Sequence, residues 1–487
     1  MVFSSLIFLY AFLPLCLVCY RLCRSMKAQN ICLLVFSLFF YAWGEPKYVL
    51  LLMVMAWFDW FFALRLRAAR KKEKKGRIWL ILACFVNLGL IGFFKYSGMI
   101  CALFGEPPAF IASIALPLGI SFYTFQLLTY VADVYRGRAA AQRRYWHVLL
   151  YAALFHQCIA GPIVRYETIA RELFVRRRGG EEVPLGVLRF GVGLAKKVML
   201  ANPCGALSDR MLLTDALIGD STAVASNMQL LAQKPVLTLW LGVLAFTLQI
   251  YFDFSAYSDM AIGMGKMLGL HYPENFDHPY ISRSATEFWR RWHISLGTFF
   301  RDYVYIPLGG SHRGTGRTLF NLFVVWALTG LWHGASWNFV WWGLYWFFFA
   351  AAERLFLRKA ARVLPRWLRS PLSHIYLLLI AALGWVLFKF TDLRLVKTVL
   401  WGLFGLNGNR LSDFQSVIAL KNNMYLLAFC AIAATPLLQR IVWHPRLARR
   451  SGVYRAVVFG ILPVILLLIS TAGLVGNSYN PFLYFKF

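Results

Sequence analysis

The sequence predicts an all-α polytopic membrane protein. Sixty per cent of its 487 residues are hydrophobic and the mean hydropathy is +0.59, whereas a soluble chain is nearer half apolar. Several apolar stretches approach the roughly 20 residues that a helix needs to span a bilayer, and basic residues collect between these stretches. These features predict about eleven membrane elements, some of them re-entrant, in a single domain covering residues 1–487.

The net charge of +30 is explained by the positions of the basic residues. In a soluble protein such a charge would indicate nucleic acid. Here the basic residues fall between apolar segments, as in cytoplasmic loops that lie against anionic lipid. Membrane lipid is therefore a predicted partner and nucleic acid is not. The predicted cytoplasmic loops are residues 65–77, 136–144, 354–369 and 440–455, and the predicted outside segments are residues 206–234 and the C-terminus.

The apolar segments divide at recognisable breaks. Gly44-Glu45-Pro46 splits residues 31–64 into two spans, because proline ends a helix and glycine permits a turn. Residues 147–163 are too short to cross and return, so we expect a re-entrant element, with Gly161-Pro162 supplying its break. The remaining predicted spans are residues 5–20, 78–96, 110–135, 184–203, 235–270, the hairpin 319–352, 372–390, 424–440 and 453–473.

The region that carries chemistry is residues 235–357, and its clearest feature is His333. This residue interrupts an almost entirely apolar run, at the tip of the predicted hairpin. An ionisable group at membrane depth is costly and indicates function, and a neutral imidazole can accept a proton near neutral pH. The alternative is a buried histidine that is simply hydrogen-bonded to a backbone carbonyl.

A second histidine, His293, lies in a basic aromatic stretch some forty residues upstream. It is predicted to be either a participant in the chemistry or a structural residue among cationic neighbours. Arg290, Arg291 and Arg301 surround it in sequence and are candidates for binding the phosphates of an acyl donor. A plain lipid anchor would have the same composition, so both interpretations stand.

Five further candidates lie in or beside apolar segments. The two carboxylates need partners at membrane depth. Purely structural pairing is the favoured interpretation, and the alternative is that either carboxylate orients a site histidine or pairs with Arg165 or Arg301. The others are candidates for lining the substrate pocket. The five residues are Tyr251, Asp253, Asp259, Trp337 and Asn338.

With these motifs the chain resembles the membrane-bound O-acyltransferase (MBOAT) family, especially the bacterial membrane subunits that O-acetylate alginate. The resemblance implies an MBOAT-type helical bundle in which His333 is the catalytic histidine and His293 is also functional. It implies transfer of an acetyl or other acyl group from a cytoplasmic donor to an extracytoplasmic polysaccharide, such as an alginate-like polymer, cellulose or peptidoglycan. The matching stretches are residues 1–5, 40–43, 160–166, 251–260 and the two histidine motifs.

The resemblance also sets the expected donor, partner and location. The donor is acetyl-CoA or an acyl carrier, with no bound cofactor and no metal. No G-x-S-x-G elbow is present, so we expect an extracytoplasmic acetyltransferase or esterase-like partner protein, and a location in the bacterial inner membrane. The rival interpretation is a polysaccharide or lipid transporter or flippase, which would also have broken helices and buried charges but usually shows repeated halves.

Overall fold

A computed structural model describes residues 1–71, 76–176, 181–214, 220–442, 451–476 and 479–483. Regular structure in these ranges is helical, which confirms the predicted all-α membrane fold. The chain forms two compact units, each assembled from separate stretches of sequence. The first unit is Met1–Leu194, Ala256–Glu274 and Ala456–Gly476, and the second is Ala195–Ser255, Asn275–Arg455 and Asn477–Phe487. A single domain over residues 1–487 stays a prediction.

Seven helices in the described part of the chain are long and apolar enough to cross a membrane. The total of about eleven membrane elements stays a prediction. The seven are Met26–Gly44, Tyr48–Arg70, Arg77–Cys101, Val236–Met267, Trp367–Lys389, Phe414–Ala433 and Gly452–Gly476.

The first unit begins with a π-helical turn, Phe8–Phe12, that continues into Leu13–Leu22. The predicted break at Gly44-Glu45-Pro46 is confirmed, since one helix ends at Gly44 and the next begins at Tyr48. The later helices of this unit are Arg77–Ile91, Gly92–Tyr96, Ser97–Cys101, Ala109–Ala112, Ile120–Arg136, Tyr145–Ala153, Phe155–Cys158, Tyr166–Ile169, Glu182–Ala195, Val457–Ile461 and Leu462–Gly476.

The predicted re-entrant element is a broken, fully buried segment of the first unit. The predicted break at Gly161-Pro162 is confirmed, since one helix ends at Cys158 and the next begins at Tyr166, and a further break lies at Leu154. The hydroxyl of Ser37 accepts the Phe155 N–H that the break releases, at 3.1 Å. Protein therefore covers the irregular backbone, as a non-helical segment at membrane depth requires.

The second unit contains the hairpin that carries His333. Its arms are Gly314–His333 and Trp337–Ala352, so the predicted hairpin is confirmed with an earlier start. A Cβ atom on Gly330 would lie 2.4 Å from the Phe339 carbonyl oxygen, and one on Gly343 would lie 2.5 Å from the Trp326 carbonyl oxygen. Glycine at both positions therefore lets the two arms touch backbone to backbone.

The other helices of the second unit surround this hairpin in sequence. Glu353–Leu357 is a further π-helical turn. The long helix Val236–Met267 contributes its first part to this unit and its last part to the first unit. The rest are Lys196–Ala201, Asn202–Leu212, Ser221–Gln233, Pro279–Ile281, Ala285–Arg291, Ile294–Phe300, Arg301–Tyr305, Arg358–Val363, Arg366–Lys389, Leu393–Leu403, Phe414–Ala433, Leu437–Val442 and Gly452–Ala456.

The predicted outside segment 206–234 is largely helical where the structure describes it, and its side of the membrane stays a prediction. Asn202–Leu212 and Ser221–Gln233 are helices, and Asp220 caps the second by accepting the Ala223 N–H at 2.9 Å. Val224 and Leu231 form an apolar face that is buried in one core with the helix Leu393–Leu403, which the sequence prediction missed. Amphipathic helices of 11 to 13 residues are too short and too polar to register as spans.

Parts of four predicted segments lie outside the described residues, among them residues 215–219 of the segment 206–234. The other parts are residues 72–75 of the loop 65–77, residues 443–450 of the loop 440–455, and residues 477–478 and 484–487 at the C-terminus.

Candidate active site

His333 is the last residue of the first hairpin arm and is 8 % exposed. Its ring centroid lies 4.9 Å from that of Trp342 and 5.1 Å from that of Phe388. The imidazole is therefore set in an aromatic environment rather than at a loose tip. A general base must present a neutral imidazole to the hydroxyl that it deprotonates.

The first arm of the hairpin ends as a helix at His333. Gly334 is extended, and a Cβ atom there would lie 2.2 Å from the Phe339 ring. Asn338 is fully buried; its amide donates to the Leu387 carbonyl at 3.1 Å and its carbonyl accepts from the Ser336 hydroxyl. The hairpin turn is thus held by buried hydrogen bonds, so Asn338 positions the turn and reaches Leu387 of another helix.

His293 lies in the second unit too, between Ala285–Arg291 and Ile294–Phe300. Its backbone has a φ of 46°, a conformation that non-glycine residues rarely adopt. Asn275 holds this turn through its carbonyl, which accepts the Ile294 N–H at 2.9 Å, and through its side-chain oxygen, which accepts from the Ser295 hydroxyl at 2.8 Å. The imidazole is 4 % exposed, so it is a fixed, buried group.

Trp332 brings the two histidines into one site. Its ring centroid lies 5.7 Å from that of His293 and 4.9 Å from that of His333. The two predicted catalytic residues therefore pack on the same indole within the second unit. A change in the position of Trp332 would therefore alter the packing of both imidazoles.

Burial makes the protonation of His293 dependent on folding. Residue 293 lies outside the seven long apolar helices. Burial lowers the pKa of its imidazole from 6.5 to about 3. His293 is therefore neutral at physiological pH, and the positive charge predicted around it is not carried by its own ring.

We expect the stability of the protein to fall as the pH is lowered from about 6.5 towards 3. In this range His293 of the unfolded chain takes up a proton and His293 of the folded chain does not, so the free energy of unfolding rises with pH. Unfolding midpoints in detergent across this range should show a shallower pH dependence for His293→Gln than for the wild type. Equal slopes would contradict the assignment to His293.

Glu353 is a positioning residue that sequence reasoning missed. Its buried carboxylate accepts the Ala285 N–H and, at 2.8 Å, the Thr286 hydroxyl. It thereby caps the N-terminus of Ala285–Arg291, where free N–H groups favour an anion. A glutamate just beyond the apolar hairpin of a strongly basic chain is the signal that could have indicated it.

The three predicted phosphate-binding arginines differ in their surroundings. Arg291 pairs with Glu287 at 3.2 Å and with Asp277 at 3.1 Å, and Arg301 pairs with Asp302 at 2.6 Å. The Asp302 carboxylate raises the pKa of the Arg301 guanidinium. Arg290 is exposed, and within the described residues no carboxylate lies at ion-pair distance from it. It is the arginine of the three best able to take a phosphate.

Asp253 has a different partner from those expected. One carboxylate oxygen lies 2.6 Å from the Lys197 ammonium, and the other accepts the Leu483 N–H at 2.9 Å. Lys197 also donates to the Pro481 carbonyl. The predicted partner Arg301 is wrong for this residue, because Lys197 reaches it from the π-helical turn Lys196–Ala201. The Lys197–Asp253 pair thus holds Pro481 and Leu483 of the C-terminal segment against the helices of the second unit.

Asp259 belongs to the first unit, where it has an ion-pair partner that was not among those expected. It pairs with Arg189 at 2.6 Å, and Arg189 in turn pairs with Glu274 at 2.6 Å. Arg165, the other predicted partner, pairs with Glu167 at 3.5 Å. The structure therefore gives Asp259 an ion-pairing role within the first unit.

Tyr251 and Trp337 complete the predicted set. Tyr251 is buried in the aromatic core of the second unit, with its ring 5.4 Å from Tyr280 and 6.2 Å from Trp292. Trp337 is 51 % exposed at the start of the second hairpin arm. Tyr251 is therefore part of the buried aromatic core, whereas the Trp337 side chain is exposed.

The described residues hold no cluster of three or more His, Cys, Asp or Glu side chains able to bind a metal ion. The nine cysteines are free thiols. The described site therefore offers imidazole, indole and guanidinium groups for its chemistry.

Comparison with known proteins gives a family for this architecture. Residues 33–390 match the profile of MBOAT, the membrane-bound O-acyltransferase family. This range contains both histidines and the whole hairpin.

Relatives match over most or all of their length. A "Probable alginate O-acetylase AlgI" from Pseudomonas aeruginosa is 38% identical over 89% of this chain and 81% of its own. A protein of the same name from Azotobacter vinelandii is 35% identical over 100% of both chains. A "Peptidoglycan O-acetyltransferase" from Helicobacter pylori is 29% identical over 100% of this chain and 98% of its own.

Proposed function

Because the chain belongs to the membrane-bound O-acyltransferase family and is an acyltransferase, we propose that it acetylates hydroxyl groups of a polysaccharide outside the cytoplasm. The relatives named for alginate and for peptidoglycan support acetyl as the acyl group and a glycan as the acceptor. The bacterial sources of these relatives support a location in the bacterial inner membrane.

The observation that carries the proposal is the setting of His333. It is a buried imidazole at a break between two apolar helices, with aromatic rings on several sides. Extended backbone follows it at Gly334, where no side chain fits. A substrate hydroxyl that reaches this break would meet a base in surroundings from which bulk water is largely excluded, where acid–base chemistry is most effective.

The proposed reaction is a direct acyl transfer. His333 removes the proton from the acceptor hydroxyl as the hydroxyl oxygen attacks the acyl carbonyl carbon of a thioester. A new C–O bond forms, the tetrahedral intermediate collapses, and the C–S bond breaks. The imidazolium returns its proton to the leaving thiolate, which restores the neutral base.

His293 and Trp332 hold the base in place in this proposal. His293 is neutral and rigid, and it packs on the indole that also contacts His333. It therefore acts through Trp332 or through a hydrogen bond to a substrate, rather than as a cation.

The donor and the partner follow from the same chemistry. Acetyl-CoA or an acylated carrier protein would supply the thioester from the cytoplasm. An extracytoplasmic acetyltransferase or esterase-like protein would complete transfer to the polymer where the acceptor is too large to reach His333. Neither the family nor the relatives favour the transporter or flippase alternative.

The donor interpretation predicts an effect at Arg290. We expect Arg290→Gln to raise the apparent KM for acetyl-CoA by about tenfold, since a charge-assisted phosphate contact contributes about 1.5–3 kcal/mol, while kcat changes little. The matched control is Arg301→Gln, because Asp302 already occupies that guanidinium. Initial rates of purified protein against donor concentration would show the effect. Unchanged KM in Arg290→Gln would favour a lipid-anchoring role.

The acceptor can be identified in cells. A strain lacking this gene, complemented with wild type or His333→Gln at equal protein level, should differ in the acetyl ester content of one glycan. Acetyl release by mild alkali from exopolysaccharide and, separately, from peptidoglycan would identify that glycan. Equal ester content of all glycans with and without the gene would reject the proposed function.

A further inference from the structure

A basic pocket in the first unit has no role in the reaction proposed above. Its cavity has a volume of about 530 Å³. Four arginines and one histidine line it, together with small apolar residues, and no carboxylate is among the lining residues. The lining is Leu66, Arg67, Arg70, Val134, Ala139, Ala140, Ala141, Gln142, Arg143, Arg144 and His147.

The pocket is built from two predicted cytoplasmic loops. One wall is the end of Tyr48–Lys71, and the other is the chain that follows Ile120–Arg136. Gly137 has a φ of 74°, and a Cβ atom there would lie 2.4 Å from a guanidinium nitrogen of Arg70. A glycine is therefore required for Arg70 to lie across this wall.

Hydrogen bonds fix the second wall. The Gln142 N–H donates to the Tyr130 hydroxyl at 2.9 Å, and the Gln142 side-chain oxygen lies 3.2 Å from Nδ1 of His147. The wall that carries Arg143 and Arg144 is thus tied to the buried helix Ile120–Arg136. The pocket is a defined cavity rather than a passing gap between loops.

The charges of the pocket are not neutralised by the protein. Within the residues that the structure describes, no carboxylate lies at ion-pair distance from Arg67, Arg70, Arg143 or Arg144. Four guanidinium groups around one cavity repel one another unless an anion lies between them. Their forked donors fit phosphate oxygens better than a single point charge would.

We propose that this pocket binds the phosphate of an anionic phospholipid headgroup. The volume falls within the range of small-ligand sites, and the pocket lies at the end of the apolar helix Tyr48–Arg70. The next apolar helix, Arg77–Cys101, presents exposed Ile78 and Phe85, on which acyl chains can lie. A bound lipid would thus place its phosphate among the arginines and its chains along apolar helices.

Arg65 is the control that separates specific binding in the pocket from a general effect of basic charge. It lies on the same helix, but its guanidinium lies over the rings of Phe61 and Trp79, at 5.2 and 5.4 Å. Arg65 does not line the cavity. Cytoplasmic loops are basic whether or not they bind a lipid, so the pocket is specific only if its own arginines matter more than Arg65.

The test is lipid retention by the full chain released from nanodiscs of phosphatidylcholine and phosphatidylglycerol, measured by native mass spectrometry. We expect Arg67→Gln and Arg144→Gln each to reduce retained phosphatidylglycerol about fivefold, as loss of one basic contact does at a membrane surface. Ala140→Trp should abolish retention by filling the cavity without changing charge. Arg65→Gln should retain the lipid like the wild type.

Three results would overturn the proposal. Equal loss in Arg65→Gln and Arg67→Gln would show that only bulk charge matters, and retention by Ala140→Trp would place the lipid elsewhere. Inorganic phosphate and coenzyme A are added in separate arms, because they carry the same chemistry without acyl chains. Displacement of the lipid by either soluble phosphate would reject the lipid and identify the pocket as a soluble anion site. Since this readout does not involve turnover, its failure leaves the proposed acetyl transfer untouched.

Discussion

A His333→Gln variant is expected to lose acetyl transfer by about 10²–10⁴-fold, the usual contribution of a general base. Glutamine keeps hydrogen-bonding groups and much of the side-chain volume but accepts no proton at neutral pH. Substrate binding should change little, so the loss should appear in kcat. The measurement is the initial rate of acetyl transfer by purified variants, together with glycan acetylation in cells at equal protein level.

The burial of His333 changes the choice of variant. A residue at an exposed hairpin tip could be cut to alanine without loss of packing, whereas this ring lies against Trp342 and Phe388. His333→Ala therefore also creates a cavity and should lower the unfolding midpoint. His312→Ala, at an exposed position of the same unit, is the matched control and should remain active. Near-normal turnover by His333→Gln would show that hydrogen bonding suffices and that His333 is not the base.

Breaking the buried pair between Lys197 and Asp253 is expected to cost about 3–5 kcal/mol of stability. The two side chains are 4 % and 1 % exposed, so removing one leaves the other charge buried without its partner. Asp253→Asn and Lys197→Met should each lower the thermal unfolding midpoint in detergent. Each should also loosen the C-terminal segment, because Pro481 and Leu483 bond to this pair.

The double variant Lys197→Met with Asp253→Asn measures the coupling between the two residues. It should be more stable than either single variant, since no unpaired charge remains. Arg301→Gln breaks an exposed pair, with a guanidinium side chain 60 % exposed, and should change stability by less than about 1 kcal/mol. Additive losses in the double variant would show that the two residues act independently.

The helical membrane fold could be predicted because it depends on local signals. Apolar length, the Gly44–Pro46 break and the hairpin around His333 each lie within one short stretch of sequence. The short helices 221–233 and 393–403 were not predicted, because each buries its apolar face against the other and neither has enough apolar length to be recognised alone.

Partners in the site were harder to predict than the residues themselves. The carboxylates of Asp253 and Asp259 were recognisable as needing cations, but Lys197 and Arg189 are 56 and 70 residues away in sequence. Charge alone could not choose them over Arg165 or Arg301. Glu353 escaped for the same reason, since its role is to cap a helix that begins 68 residues earlier.

The backbone contact between the arms of the hairpin decides how a substrate can travel. At Gly330 and Gly343 the two arms leave no room even for a methyl group, so neither an acyl chain nor a sugar can slip between them on the way to His333. In the proposed reaction, the acyl donor and the hydroxyl would therefore reach the imidazole around the hairpin rather than through it. An enzyme that widened this seam, as Gly330→Leu would, should admit water to the base and hydrolyse its donor in place of transferring the acetyl group.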